Sequence, residues 1–147
     1  DFAYAIHTDV GYRCTGARVN NKMVPLRFTL RHGDIVEIIT SAKRKPSKDW
    51  LKITKTSRAR AKIRQWVKNE ERARSITLGK DLLEKELRRL HLNVSQQMKQ
   101  ESLLQIAREF SFQQGEDLLA AIGFGRFPLN KSSTGLPPGR RWKRIRT

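Results

Sequence analysis

The stretch Ser41–Arg74 constrains this chain most, because it concentrates positive charge between two regions that are nearly neutral. Residues 42–80 carry fourteen basic and three acidic side chains, a net charge of +11, whereas residues 1–41 carry +1 and residues 81–130 carry −1. The tail 131–147 carries a further +6, and the whole chain carries +17. A central band of charge of this kind favours a polyanionic partner over a role in solubility alone.

An apolar stripe predicts an α-helix within the charged band, from Ser57 as N-cap to Asn69. The stripe consists of Ala59, Ile63, Trp66 and Val67, of which Ile63 and Trp66 are expected to be buried. Cations recur on the other faces of this helix: Arg58, Arg60, Lys62, Arg64 and Lys68. Arg60, Arg64 and Lys68 form a row with one cation every fourth residue, which Arg72 continues. Because like charges four residues apart repel each other, these cations predict contacts with the phosphates of a nucleic acid. A solvated basic face and contact with an acidic protein or a membrane are the alternatives.

The first 41 residues predict short elements in the order helix, strand, strand, turn, strand, which is an α+β arrangement. The predicted elements are a helix over Asp1–Asp9 and strands over Cys14–Val19, Lys22–Leu26 and Ile35–Thr40. Asp1 is expected to cap the helix and Gly11 to end it. The pair Asn20-Asn21 predicts a tight turn between the first two strands, because asparagine tolerates a positive φ.

These segments resemble a known family. DFAYAIHTDVGYRC, GARVNNKMVPL and GDIVEIIT resemble the TGS domain, a ubiquitin-like β-grasp module. The continuation KTSRARAKIRQW resembles the segment after the TGS domain in the RelA/SpoT family of bacterial (p)ppGpp synthetases and hydrolases, and DLLAAIGFG resembles the helical domain of that family. The resemblance covers residues 1–127 and implies a β-grasp domain that lacks its opening hairpin, followed by an all-α region.

Four segments are therefore predicted: a partial TGS β-grasp domain at 1–41, a basic linker at 42–56, a helical domain at 57–127 and a disordered basic tail at 128–147. Apolar spacing predicts further helices over Ile76–Leu92, Glu101–Phe110 and Glu116–Ile122. The tail departs from the family pattern and is rich in Pro, Gly, Ser and Arg. Because the chain begins at Asp1 without methionine, we interpret it as a fragment of a longer protein.

The resemblance implies that the IHTD motif senses RNA. Its histidine, His7, is expected to meet the 3′-CCA end of an uncharged tRNA on the ribosome, with Arg13 within reach of the same site. The basic helix would then contact RNA phosphates. The family commonly has His-Arg-Cys where this chain has Tyr12-Arg13-Cys14. Capping of the helix end is the alternative role for His7.

The sequence offers little for catalysis by this chain itself. Its three histidines lie in separate predicted elements, its single cysteine cannot supply a zinc site, and it has no G-x-x-x-x-G-K-[ST] loop. We therefore expect no metal, no cofactor and no catalytic residue here, and by the resemblance the catalytic domains lie upstream in the parent chain. The single cysteine agrees with a reducing cytosol, and no apolar run is long enough for a membrane span.

Three functions remain open at this point. The first is a regulatory portion that binds uncharged tRNA and ribosomal RNA. The second is a docking module for an acidic protein such as acyl carrier protein. The third is the TGS portion of another translation factor, either a threonyl-tRNA synthetase or a ribosome-associated GTPase. Salt dependence and the identity of the partner distinguish the first two.

Overall fold

The computed structural model describes residues 1–127 and 129 of the chain. In order, its elements are α1 Phe2–Ile6, α2 Thr8–Arg13, β1 Cys14–Val19, β2 Lys22–Val24, β3 Val36–Thr40, a 3₁₀ helix Lys48–Lys52, α3 Ser57–Arg89, α4 Val94–Gln97, α5 Gln100–Glu109 and α6 Gly115–Gly123. The chain divides into two compact units, Asp1–Glu70 and a second that begins at Glu71. The predicted tail 128–147 lies outside the described residues, apart from Leu129.

Two short helices replace the one predicted at the start of the chain. The backbone is extended at His7, with φ −160° and ψ 147°, and this residue separates α1 from α2. Gly11 does not end a helix, contrary to the prediction, because α2 continues to Arg13. Gly11 lies against the ring of Tyr4, where a Cβ would overlap the aromatic carbons. Close packing rather than helix termination therefore accounts for this glycine.

The three predicted strands form one antiparallel sheet in the order β2-β1-β3. Ala17 of β1 pairs with Val24 of β2 on one side and with Ile38 of β3 on the other. Asn20 and Asn21 have φ values of 50° and 68°, as the predicted turn requires. The predicted α+β architecture is confirmed. Among the described residues, no strand pairs with the outer edge of β3.

Part of the apolar surface of the first unit is open. A cavity of about 460 Å³ is lined by residues of α1, the sheet and the segment between β2 and β3. Phe2 and Phe28 line it and are both more than two-fifths exposed. Ile35, just before β3, is 78% exposed. These residues leave an apolar surface of the first unit in contact with solvent.

The predicted linker 42–56 packs onto the core of the first unit. That core consists of Ala3, Tyr4, Cys14, Trp50, Ala59 and Ile63. Trp50 lies on the 3₁₀ helix and is buried, and Leu51 packs against the same core. The first turns of α3 belong to this unit because Ala59 and Ile63 are fully buried in it.

The start of α3 is fixed by Asp1 and Thr56, and neither contact was predicted. Asp1 makes no side-chain capping bond to α1. Its carboxylate instead accepts hydrogen bonds from the backbone N–H groups of Lys55 and Thr56 and from the Thr56 hydroxyl, at 2.7 to 3.2 Å. The Thr56 oxygen accepts from the backbone N–H of Ala59 at 3.4 Å. Thr56, rather than the predicted Ser57, thus caps the helix.

One continuous helix, α3, replaces the two helices predicted over 57–69 and 76–92. The intervening residues lack an apolar stripe, but they are good helix formers without proline or glycine, so the helix continues through them. In the second unit α3 packs against α5 and α6 around a core of Leu83, Leu87, Leu103, Ile106, Ala107, Leu118, Leu119 and Ile122. Gly79 lies so close to α6 that a Cβ would overlap the carbonyl oxygen of Leu119. No helix in the described part of the chain is long and apolar enough to cross a membrane.

Candidate nucleic-acid interface

The N-terminal half of α3 divides into a buried stripe and a cationic face. Ala59 and Ile63 are fully buried, and Val67 packs against the same core. At 100° per residue, the four cations Arg58, Lys62, Arg64 and Lys68 lie on the remaining circumference. Arg58 and Lys62 form one pair four residues apart, and Arg64 and Lys68 form another pair on the opposite flank of the stripe.

Arg60 differs from the other predicted phosphate ligands, because it already has partners within the first unit. Its Nη1 donates to the carbonyl oxygen of Leu51 at 2.6 Å and to that of Thr54 at 2.8 Å. The residue is partly buried. These bonds satisfy carbonyl groups at the end of the 3₁₀ helix, so Arg60 is a structural cation and we leave it out of the interface.

Arg72, at the next step of the predicted row, is also paired. In the second unit its Nη2 contacts the carboxylate of Asp117 on α6 at 2.7 Å. By contrast, no ion pair or side-chain hydrogen bond involves Arg58, Lys62, Arg64 or Lys68 within the described residues 1–127 and 129. These four side chains, here called the α3 cations, are therefore available to a ligand.

Two tryptophans of the first unit are each approached by a basic side chain from the segment after β3. The guanidinium of Arg44 lies 5.6 Å from the ring centroid of Trp50, and the Nζ of Lys45 lies 6.0 Å from that of Trp66. Trp50 is buried, whereas Trp66 is only partly buried, less than the sequence predicted. Neither Arg44 nor Lys45 was predicted as a functional residue, because nothing in the local sequence indicates that they lie over distant rings.

His7 occupies the junction of α1 and α2 and has one ring nitrogen engaged. Its Nδ1 accepts a hydrogen bond from the backbone N–H of Asp9 at 3.1 Å, which makes His7 the N-cap of α2. The carboxylate of Asp9 lies 3.7 Å from the same nitrogen, and the His7 side chain is 66% exposed. With Nδ1 accepting, the proton of a neutral imidazole lies on Nε2, which leaves a donor for a ligand. Capping and ligand binding are thus compatible roles for His7.

Arg13 lies at the other end of α2. The helix has six residues, so the two ends lie about 9 Å apart along its axis. The Arg13 backbone carbonyl accepts from the N–H of Ser41 at 2.9 Å, which joins α2 to the end of β3. Its side chain is exposed and makes no ion pair within the described residues. His7 and Arg13 therefore mark two ends of one short helix rather than a single pocket.

Tyr12 connects α2 to α3. Its hydroxyl donates to the backbone carbonyl of Lys62 at 3.4 Å. Its ring packs edge-on against Tyr4, with the centroids 5.8 Å apart. Burial raises the pKa of the Tyr12 hydroxyl, and the negative charge of Asp9 adds to the shift. Tyr12 is thus a packing residue, a role that its place beside Arg13 in the sequence did not indicate.

The described residues offer no metal centre. No group of three or more His, Cys, Asp or Glu side chains in residues 1–127 and 129 is placed to hold a metal ion. Cys14 is buried, and its Sγ contacts the carbonyl oxygen of Gly16 at 3.7 Å. Burial raises the pKa of this thiol. What this part of the molecule presents is a set of cations, an imidazole and a partly exposed indole, which are groups suited to binding RNA.

Comparison with known proteins identifies two family domains in the chain. The TGS domain model matches residues 1–40, and the RelA/SpoT AH domain model matches residues 66–131. The chain is 46% identical over 138 residues to a GTP pyrophosphokinase of Myxococcus xanthus, which covers 94% of this chain and 18% of that protein. It is 44% identical over 130 residues to a probable guanosine-3′,5′-bis(diphosphate) 3′-pyrophosphohydrolase of Synechocystis sp., covering 88% of this chain and 17% of that protein. It is 42% identical over 127 residues to the bifunctional (p)ppGpp synthase/hydrolase RelA of Mycobacterium tuberculosis, covering 85% of this chain and 17% of that protein.

The fold and the first model define a TGS-containing chain. Because the TGS match is followed by a RelA/SpoT AH domain, and the two together match more than half of the residues, the chain belongs to the RelA/SpoT family. The predicted family is confirmed, and the alternatives of a threonyl-tRNA synthetase or a ribosome-associated GTPase do not agree with the AH domain. The chain spans less than a fifth of the length of these relatives.

Proposed function

We propose that this chain is the regulatory, non-catalytic portion of a (p)ppGpp synthetase/hydrolase, and that it recognises the 3′-CCA end of uncharged tRNA together with ribosomal RNA. The observation that carries the proposal is the set of α3 cations, which have no acidic partner within the described residues. Four cations on the solvent-facing side of one helix match the repeating negative charge of an RNA backbone.

The family supports the non-catalytic part of the proposal. The relatives are named for synthesis or hydrolysis of (p)ppGpp, but this chain corresponds to less than a fifth of each of them. We place the catalytic centres in upstream domains of the parent protein. The chain is then a sensor that reports RNA occupancy to those domains, and it needs no cofactor of its own.

The geometry of α2 supports recognition of a tRNA end. The free Nε2–H of His7 can donate to a ribose hydroxyl or a phosphate, and the exposed ring can stack on a terminal base. Arg13, about one helix length away, would meet the phosphates of the CCA backbone. An esterified amino acid on the terminal ribose would add bulk beside His7 and a positive amine that the charge of Arg13 disfavours, so the site would favour the uncharged tRNA.

The RNA-binding part is tested by the salt dependence of binding. If each α3 cation neutralises one phosphate, log K falls with log salt at a slope of roughly −3 to −4. The double variant Arg58→Gln/Arg64→Gln should flatten the slope by about 1.5 to 2 and leave folding unchanged. Lys22→Gln/Arg27→Gln, which removes two exposed cations between β1 and β3, is the matched control. Equal slopes for the chain and the Arg58/Arg64 variant would contradict the proposal.

The same titration separates RNA from an acidic protein. Binding of acyl carrier protein or another acidic protein would also weaken as the salt concentration rises, but such a protein would compete with RNA for the α3 cations. Binding of such a protein at low concentration, with no measurable affinity for tRNA or ribosomal RNA, would favour the docking function instead.

A further inference from the structure

Trp66 is the one aromatic side chain on the N-terminal half of α3, and it lies where the buried stripe meets the cationic face. It is partly exposed, whereas Ile63 in the same stripe is fully buried. At 100° per residue, Trp66 follows Lys62 by 40° around the helix axis and lies one turn further along. The indole therefore borders a cation that has no side-chain partner among the described residues.

The ring of Trp66 is covered by a side chain that is weakly held. The Nζ of Lys45 lies 6.0 Å from the ring centroid and 3.8 Å from Oε1 of Glu70, one turn beyond Trp66 on the helix. Both distances are at the outer limit for such contacts. The Lys45 side chain is 67% exposed, so it can leave the ring without breaking a buried contact.

Trp50 provides the contrast. It is also covered by a cation, Arg44 at 5.6 Å, but its own ring is 7% exposed and belongs to the core. Burial in the core accounts for Trp50 without any ligand, whereas packing alone leaves part of Trp66 in contact with solvent. Of these two indoles, Trp66 is the one that a ligand can reach.

We propose that Trp66 is a stacking platform for an unpaired RNA base, and that Lys45 is its removable cover. In the free chain Glu70 holds the Lys45 ammonium over the indole. When RNA binds, the base takes the face of the ring, Lys45 moves to a phosphate next to that base, and Lys62 meets a phosphate on the other side. This inference rests on the proposed RNA binding and specifies the kind of RNA, an unstacked or single-stranded nucleotide rather than a continuous duplex.

The chemistry favours a base over other apolar ligands. The indole can stack on the face of a base, and the cations on its two sides can contact the phosphates that flank that base. Stacking on an aromatic side chain tolerates any base. A fully paired duplex keeps its bases stacked on one another and would meet only the cations. An acidic peptide would engage Lys45 and Lys62 without a planar group for the ring.

The test uses the full chain and two RNA probes of one sequence, a single-stranded 12-mer and its blunt duplex. Single-stranded RNA should quench the emission of Trp66, measured as the difference between the chain and Trp66→Phe, while the duplex should not. Trp66→Leu should weaken binding of the single strand about 5-fold to 100-fold, the range expected for one stacked base. Trp66→Phe should lose less, and neither variant should alter duplex binding. Lys45→Gln should raise quenching of the free chain by iodide or acrylamide.

The outcomes separate this inference from the function on which it rests. RNA binding that depends on salt and on the α3 cations, but produces no Trp66 quenching, would refute the stacking site and leave the proposed function intact. Equal quenching by the duplex or by polyglutamate would also refute it. No binding of either RNA would overturn both. The quenching comparison needs only the conservative Trp66→Phe variant as its reference, so a Trp66→Leu chain that fails to fold does not prevent the test.

Discussion

Arg60 and Arg64 are one helical turn apart, but the structure predicts that replacing Arg60 destabilises the first unit, whereas replacing Arg64 leaves its stability nearly unchanged. Arg60→Gln removes two hydrogen bonds to the carbonyl oxygens of Leu51 and Thr54, at 2.6 and 2.8 Å. A hydrogen bond to a charged group contributes about 1.5 to 3 kcal/mol when buried. Because Arg60 is partly exposed and water can replace part of the loss, we expect about 2 kcal/mol of destabilisation in total.

This loss is large for a unit of this size. For a domain of 60 to 100 residues, 1 kcal/mol corresponds to about 4 to 8 °C in Tm, so Arg60→Gln should lower the Tm of the first unit by about 8 to 16 °C. Arg64→Gln, at an exposed position without a described partner, should change stability by less than about 0.5 kcal/mol. The assay is thermal and urea unfolding followed by tryptophan fluorescence. Equal stability of the two variants, with Arg60→Gln weakening RNA binding more, would refute the assignment of Arg60 as a structural cation.

Two further variants test the packing of each unit. Gly79→Ala should destabilise the second unit by about 1 to 3 kcal/mol in thermal unfolding, because the added Cβ would overlap the Leu119 carbonyl oxygen; a gain in stability, as helix propensity alone would give, would contradict the close contact. In the first unit, burial raises the pKa of Tyr4 above its ordinary value of 10.0 and that of Cys14 above 9.0. The folded state favours the neutral form of both groups. Their contribution to the free energy of unfolding is therefore complete below about pH 9 and is lost as the pH rises above their ordinary pKa values of 9.0 and 10.0. Tyr4→Phe, which removes a buried hydroxyl with no partner in the described residues, should reduce this alkaline loss in unfolding curves at pH 8 and pH 10.5 without a cost in stability at pH 7; equal alkaline loss in both chains would show that Tyr4 does not titrate on unfolding.

Local patterns predicted the sheet well. Alternating residues and the Asn20-Asn21 pair defined β1, β2 and their turn, because a tight turn between adjacent strands depends on the residues that form it. The third strand begins one residue later than predicted and ends at the predicted Thr40, and the second ends at Val24, two residues before the predicted Leu26. The α3 cations lie off the buried stripe, as their spacing predicts. His7 and Arg13 lie at the two ends of α2, an element that the predicted helix over Asp1–Asp9 did not include.

Contacts between distant residues were not predictable in this way. Asp1 bonds to Thr56, 55 residues away, instead of capping its own helix. Arg60 has the same periodicity as Arg64 but meets carbonyl groups of the preceding 3₁₀ helix, so sequence spacing gave both the same role. Gly79 has a low intrinsic helix propensity, but it lies inside α3 and allows close packing against α6. In each case tertiary packing, rather than the local signal, determined the outcome.

The most direct test of the central claim compares charged and uncharged tRNA. Binding of each tRNA should be measured at one salt concentration for three proteins: the unmodified chain, His7→Glu and the control His32→Glu. The control changes an exposed histidine in the turn before β3. We expect tighter binding of uncharged tRNA by the chain and by His32→Glu, and loss of that preference in His7→Glu, where a carboxylate would face the phosphates. Equal binding of both tRNAs by the chain, unaffected by His7→Glu, would show that His7 does not read the tRNA end and serves as the N-cap of α2.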